Sequence, residues 1–508
     1  MDNLMQKRTV PVTRSVMDAQ EEYVLSGDFV LPEYCPDVAV VLKCAISPRI
    51  QSRQWNGGQL TLDGTAVVRV LYLDEERRCV RAAEFSQPLS CTLQGGGQPE
   101  GAPVQVTLTP EYANCRATGP RRLEVRGAFR IHAVAESTGE EELMETAEGD
   151  GQLFTRQTQA TVCFPRASAE KLLTVQEVLD FDAGLPEAEQ LLWGDCTAAV
   201  QECKLLTGKA IVKGQLHIHC LYTENAAEGT VYPLHFTVPF SQILDLDGAE
   251  EGMPCVADVS VLSDTMRIVP NIDGKNAALE VMAKLLVQCR LYAAETVSLV
   301  LDAYRTDCPV ELETRELALP DIAGVRYDTA TVQRSMELPA DDLTEILDVW
   351  VQPLGLSGAC ANGTAVLSGK MTVSMLVRDR DGAVAYYERP EEFRLEYPAQ
   401  GTAVQADCAV LGTEYSVVSG KLELRIPLAV MVVERQRQEY RVVQQLHAQT
   451  DRAYSPETAA VKVYYAEPGE SVWDIARECH TSPTGICQEN GVTEEPLAKR
   501  TVLIVPMT

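Results

Sequence analysis

Three stretches of the chain alternate apolar and polar residues with a period of two, each directly after a glycine. Ala66, Val68, Val70 and Tyr72 follow Gly64 on one side of the run; Leu216, Ile218, Cys220 and Tyr222 follow Gly214; Met371, Val373, Met375 and Val377 follow Gly369. The residues between them are more polar: Thr65 and Arg69, then Gln215, His217 and His219, then Lys370, Thr372 and Ser374. A period of two with one apolar face predicts a strand lying on a core. Each run meets a polar turn (Asp74-Glu75-Glu76, Glu224-Asn225, Asp379-Arg380-Asp381-Gly382) and then a return strand, which predicts three hairpins.

The hairpins belong to a longer repeat. Leu31-Pro32-Glu33, Leu185-Pro186-Glu187 and Leu338-Pro339-Ala340 open three segments about 153 residues apart, and Leu71, Leu221 and Leu376 mark the same point in each. A later alternating region recurs at Leu123 to Ala135, Ala277 to Tyr292 and Lys421 to Val433. Helical spacing is scarce; Ala169 to Leu179 and Asp341 to Leu347 are the best short candidates. The expected architecture is mainly β, with three repeated β-rich, sandwich-like domains at 1–150, 151–312 and 313–450 and a small domain at 458–508. The joints fall in Glu136 to Gly151, near Glu313 to Gly324 and in Glu434 to Glu457, read as solvated acidic or polar spacers between separate cores.

The end of the chain has a different rhythm. Val461-Lys462-Val463-Tyr464-Tyr465 alternates as a strand, and Pro468-Gly469 turns it. Ser471 and Asp474 make a helix-start pair, followed by Val472, Ile475, Ala476 and Cys479 on one face. A second helix begins at Ser482-Pro483 and ends at Asn490-Gly491. Thr501 to Val505 is a closing strand, stopped by Pro506. Trp473, on the first helix at core spacing, packs against the strands in this reading.

Charge and chemistry narrow the function. The 44 Lys and Arg against 73 Asp and Glu leave −29, a field that repels nucleic acid and anionic lipid. No apolar run approaches the roughly 18 residues of a membrane span, and Met1 to Val16 lacks the apolar core of a signal peptide. The sixteen cysteines form no Cys-x-x-Cys pair and several lie in apolar strand runs, so free, mostly buried thiols are expected and no metal or other cofactor is. His217 and His219 share a strand side, read as solvated; His132, His235 and His447 stand alone. Gly95-Gly96-Gly97 lacks the Lys-Ser/Thr of a phosphate loop. No nucleophile–base or acid pair emerges, and the expectation is a protein that is not an enzyme.

The terminal strand–helix–helix–strand, with Tyr465, Gly469, Ser471, Trp473, Ile475, Ala476, Ser482, Ile486, Asn490, Leu497, Leu503 and Pro506 in register, resembles the LysM domain. That resemblance implies a groove between the turn after the first strand and the loop after the second helix. The candidate contacts are Glu467, Pro468, Gly469, Glu470, Ser471, Val472, Gly491, Val492, Thr493 and Glu494. LysM domains typically bind N-acetylglucosamine-containing glycans such as peptidoglycan. Here Glu494-Glu495 supplies acid where a sugar favours aromatic faces, which tilts the reading toward a protein surface and leaves glycan as the alternative.

Leu31 to Asp37 (Leu-Pro-Glu-Tyr-Cys-Pro-Asp) with the glycine-containing hairpin resembles the SPOCS domain of clostridial sporulation proteins. Three such repeats followed by one LysM resemble the SipL-like spore-morphogenesis proteins. The resemblance implies a structural adaptor made in the mother-cell cytoplasm and placed at the forespore surface, its partners the coat-basement ATPase SpoIVA and other spore-coat proteins. The alternative is a peptidoglycan-binding protein of the cell wall or spore cortex.

Overall fold

The computed structural model describes residues 4–76, 79–95, 104–148, 151–227, 229–340, 342–455, 459–493 and 496–507. The chain is mainly β. Its first sheets use β1 (Leu4–Val30), β2 (Val38–Asn56), β3 (Gln59–Asp74), β4 (Val80–Gln94), β5 (Gln105–Gly119) and β6 (Arg122–Glu148). The pattern recurs in β7 (Leu153–Asp180), β8 (Gln190–Leu206), β9 (Lys209–Asn225), β10 (Thr230–Asp245), β11 (Cys255–Val269) and β12 (Ala278–Arg305). It recurs again in β13 (Val310–Glu337), β14 (Leu343–Ala361), β15 (Thr364–Asp379), β16 (Val384–Pro398), β17 (Ala403–Val410), β18 (Glu414–Val418) and β19 (Lys421–Ala448). In every copy the last strand lies between the first and the fifth, and the third lies between the second and the fourth, all antiparallel. In the third copy the fifth strand is broken into β17 and β18.

The two sheets of each copy enclose a core of the residues the alternation selects. Ala66, Val68, Val70 and Tyr72 meet Leu123, Val125, Phe129 and Ile131 in the first; Leu216, Ile218, Cys220 and Tyr222 meet Leu279, Val281 and Leu285 in the second. Met371, Val373, Met375 and Val377 do the same with Leu424, Ile426 and Leu428 in the third. Gly64, Gly214 and Gly369 occupy matching places, paired with Ile50, Val200 and Leu356 beside a bulge in the neighbouring strand. A Cβ on Gly64 would sit 2.0 Å from the Arg49 carbonyl oxygen, and one on Gly369 would sit 2.2 Å from the Phe393 ring. Only glycine fits so close an approach.

The opening motifs are structural braces. Tyr72 Oη donates to the Pro36 carbonyl at 3.1 Å, and Tyr222 Oη to the Pro186 carbonyl at 3.0 Å. In the first copy Arg121 also donates to the Cys35 carbonyl and to Asp37 Oδ1, both at 2.9 Å, holding the Pro-Glu-Tyr-Cys-Pro-Asp loop around one guanidinium.

Among the described residues the spacers expected between the repeats are strand. Glu136 to Glu148 belong to β6, Glu313 to Gly324 to β13, and Glu434 to Ala448 to β19. These halves of long strands form arms that pack on one another: Val10, Val12 and Leu143 meet Val162, Val297 and Leu299 and also Leu317, Leu319 and Val442. The acids are contacts rather than solvated links. Glu136 accepts from Tyr292 of the second copy and pairs with Arg435 of the third at 3.0 Å, and Arg315 pairs with Glu141 at 2.9 Å. Residues 149, 150 and 456–458 lie outside the described residues.

A second shared core joins the sandwiches. Leu71, Leu221 and Leu376 point away from their own sandwich cores and meet Leu42, Trp193, Leu347 and Trp350, with contributions from all three copies. Runs such as Val70-Leu71-Tyr72-Leu73 are apolar on both faces because both faces are covered. The helix candidates also fail: Ala169 to Leu179 lies in β7, and Leu343 to Leu347 in β14, while Asp341 lies outside the described residues. In β7 Leu172 and Val178 are exposed, so their spacing reports a solvent-facing side of a strand, not a buried helix face.

After a short turn at Thr450–Arg452 come β20 (Val461–Ala466), α1 (Val472–Glu478), α2 (Pro483–Asn490) and β21 (Thr501–Pro506), in the expected order. Ser471 Oγ accepts from the Asp474 N–H at 3.1 Å and donates to its carboxylate at 2.6 Å; Gly491 closes α2 with φ +63°. Val472, Ile475, Ala476, Ile486, Leu503 and Val505 make the core, together with Tyr304 of β12.

Candidate functional site

The groove expected in the terminal module is built around two backbone hydrogen bonds that tie Gly469-Glu470 to Leu497. Gly469 N–H donates to the Leu497 carbonyl at 2.8 Å, and Leu497 N–H returns to the Glu470 carbonyl at 2.9 Å. Gly469 needs its φ of +96° to make that turn. Glu470 carboxylate accepts from the Glu467 N–H at 2.9 Å. Arg500 reaches both carboxylate oxygens of Glu467 with Nε, at 2.9 Å each, a pair the sequence reading did not make. Glu467, Pro468 and Gly469 are exposed on this rim, Glu470 is half-buried, and Ser471 and Val472 are buried beneath it. Across from them Gly491 and Thr493 are exposed and Val492 is half-buried against the core; Glu494 and Glu495 lie outside the described residues.

Trp473 is buried, as its spacing implies, but its neighbours extend beyond the module. Its ring meets Tyr304 edge-on at 5.0 Å, and its Nε1–H donates to Asp302 Oδ2 at 2.9 Å. Arg477 joins the same carboxylate at 3.0 Å, and Tyr304 Oη donates to the Thr481 carbonyl at 2.7 Å. The module is thus seated on the end of β12. The sequence signal was weak, since nothing in Asp302-Ala303-Tyr304 marks a contact with a segment some 170 residues away.

A more distinctive feature on the same module is the outer side of its sheet. Register sets Val463 opposite Ile504 and Tyr465 opposite Val502, with Val461 opposite Pro506. Val461, Val463, Tyr465, Val502 and Ile504 are between 45% and 74% exposed. Alternation predicts one buried face in such a strand. The helices cover the side of Ala466, Leu503 and Val505, and the other side is left apolar and open.

The second candidate is a cavity of about 490 Å³ where the three copies meet, and sequence reasoning missed it. Its walls come from equivalent strands: Ala45 to Arg49, Asp195 to Ala198 and Trp350 to Pro353 with Gly355, then Val106 to Pro110, Asp258 to Val261 and Asp407 to Thr413. Lys43, Trp193 and Asp348 pair with Leu71, Leu221 and Leu376, so they are one position occupied three ways. The Lys43 ammonium lies 4.8 Å from the Trp350 ring centre and donates to Tyr386 Oη at 3.1 Å. Burial lowers its pKa, offset by Asp195 and other nearby acids.

His219 and His235, read as a solvated residue and a solitary one, both line this cavity. His219 Nε2 lies 2.9 Å from Asp348 Oδ2, which is fully buried, and His235 stacks on His219 at 4.2 Å. His217 lines the same wall, with Thr237 Oγ1 3.3 Å from its Nδ1. Burial pushes the His235 pKa down to about 4, with repulsion from His219 second, and lowers that of His217. Among the described residues no hydroxyl or thiol is hydrogen-bonded to the His219–Asp348 pair. What that pair joins is β9 of the second copy to β14 of the third.

Asp258 and Asp407, also equivalent, face the cavity, and burial raises both carboxyls, Asp407 to about 6 with Asp258 as the next cause. A carboxyl raised in the fold holds its proton at a pH where the unfolded chain, near 3.9, has lost it. Its charge therefore weakens the fold at neutral pH, and the penalty shrinks as pH falls through 6 toward 4. Asp407→Asn keeps an oxygen for the Cys408 N–H, now 2.8 Å from the carboxylate. The variant is expected to melt higher than the parent at pH 8 and equally near pH 4, measured by thermal melts across that range. An equal shift at every pH contradicts this account.

The cysteines from Cys35 to Cys408 carry free thiols, and none of the sixteen cysteines is exposed. Among the described residues no helix is long and apolar enough to cross a membrane.

The class defined by these observations is a three-repeat β scaffold carrying a small seated βααβ module. Residues 187–268, which span β8 to β10 and nearly all of β11, match the family described as SipL, SPOCS domain. This match brings a sporulation-related domain to the second copy, although the fuller opening motif stands in the first. No curated protein and no solved structure matches the chain.

Proposed function

We propose that this protein is a non-enzymatic adaptor of spore-coat assembly, its β repeats a scaffold and its LysM-like module the docking end for the coat-basement ATPase SpoIVA at the forespore surface. The observation that carries the reading is the open apolar side of the small sheet. Five large apolar side chains clustered on a module of this size are an unusual surface for water to cover, and such patches mark protein contacts. The rim supports the same direction: an Arg500–Glu467 ion pair stands beside the groove that a sugar would enter. The match to the SPOCS family supplies the sporulation setting.

The test uses the full chain. Val463→Glu with Tyr465→Ser places charge and polarity on a surface already facing water, so the fold is expected to stand. Capture of purified SpoIVA should fall at least tenfold, while circular dichroism stays that of the parent. Undiminished capture refutes the docking face. Binding of the parent protein to peptidoglycan sacculi, with none to SpoIVA, refutes the adaptor reading in favour of the glycan one.

A further inference from the structure

Three cysteines far apart in the chain converge in the second repeat. Cys203 lies near the end of β8, Cys255 opens β11 and Cys289 lies within β12, so the two sheets of the sandwich both contribute. Their sulfurs all lie within 4.8 Å of one another, and Cys203 Sγ is 3.7 Å from Cys255 Sγ. Cys255 and Cys289 are buried; Cys203 is half-buried. Tyr327 of the third repeat packs over this corner, its Oη 3.1 Å from the Ala257 carbonyl.

The cluster does not come with the fold. Strand pairing puts Arg53 and Gly358 where the second repeat has Cys203, and Ala133 and Val432 where it has Cys289. Val404 stands at the place of Cys255. In the first repeat Arg53 spans the corner to the Val104 carbonyl at 2.8 Å; in the third, Val404 fills the space above Gly358. Arginine, valine or three thiols all fill the corner, so packing alone did not require sulfur.

We propose that Cys203, Cys255 and Cys289 form a zinc(II) site. Metal–thiolate bonds of about 2.3 Å set tetrahedral sulfur–sulfur edges of about 3.8 Å, and the Cys203–Cys255 pair is already at that spacing. A disulfide between Cys203 and Cys255 would use two of the thiols and leave the third unpartnered. Three sulfur donors with no carboxylate or imidazole among them suit a soft cation. On binding, three S–H bonds give way to three Zn–S bonds, three protons pass to solvent and no atom changes oxidation state. The fourth position is left to water on the side of half-buried Cys203. Affinity accordingly falls as pH is lowered.

The experiment titrates cobalt(II), then zinc(II), into full-length, reduced, metal-stripped protein. Expected are thiolate-to-cobalt absorption saturating at one equivalent, its loss when zinc is added, and affinity more than about 100-fold weaker in Cys203→Ser, beyond the losses usual for outer-shell changes. Cys360→Ser, remote from the cluster, should bind as the parent does. Alkylation of the unsubstituted protein gives a reading free of folding effects: zinc should protect Cys203 from iodoacetamide. Absence of thiolate–cobalt absorption in folded parent protein, absorption unchanged in both Cys203→Ser and Cys289→Ser, or Cys203 alkylation indifferent to zinc each overturns the site.

Discussion

Trp473→Ala should release the terminal module from the body. The indole is buried, contributes to the module's small core and is its main ring contact with Tyr304. Removing a large buried aromatic costs about 3–5 kcal/mol. Here the loss is shared between two structures, because the same change takes one donor from Asp302 and leaves it Arg477 and the Ala303 N–H. A module this small has stability of the same order, so both its seating and its fold are at stake. Limited proteolysis should cut the module of the variant while β1 to β19 resist, and calorimetry should show a separate low-temperature transition. Trp473→Phe retains a ring but not the N–H donor, and should lose only about 1.5–3 kcal/mol, the usual worth of a hydrogen bond to a charged group. If Trp473→Ala melts as the parent does but loses SpoIVA, the residue belongs to a binding surface and its assignment to the joint is wrong.

Trp193→Ala should weaken all three repeats, not the second alone. Trp193 is buried where the copies meet, edge-on to Trp350 at 6.2 Å and 5.5 Å from the Lys43 ammonium. The direct cost is again about 3–5 kcal/mol. The distribution is the informative part. Leu71, Leu221 and Leu376 share this one cluster, so a cavity at Trp193 is felt at the equivalent leucine of every hairpin. Hydrogen exchange should speed up in β3, β9 and β15 together, and denaturant unfolding should remain one transition with an earlier midpoint. Faster exchange confined to β8, β9 and β10 would mean that the repeats are energetically separate and that the shared core contributes little.

What the chain reveals by itself follows from how many environments each strand faces. β3, β9 and β15 lie on one sandwich core for most of their length, and their period-two pattern with its leading glycine could be read directly. Beyond Leu71, Leu221 and Leu376 the same strands enter a second core, the alternation blurs, and only the run of apolar residues hints at it. The arms mislead more. Glu136 and Glu141 look like a charged spacer because their arginine partners, Arg435 and Arg315, lie in another repeat. The terminal module was legible because its turn, caps and helices are local; its seat on Asp302 and Tyr304 was not. His219, His235 and Asp348 show the same limit, for the cavity exists only when separate copies are brought together.

Lys43, Trp193 and Asp348 also say something about why such a body is a single polypeptide. Three identical subunits around an axis would repeat every substitution three times. A lysine there would confront two more ammonium groups, and an aspartate two more carboxylates, at the distances where like charges are most costly in a dry interior. Joining the copies covalently removes that constraint. One lobe can keep a cation, the next an aromatic face for it, and the third an anion for a histidine, and each can mutate alone. The centre of the molecule thereby becomes addressable, with its own orientation and its own distinct sides, which identical subunits sharing a symmetry axis cannot have.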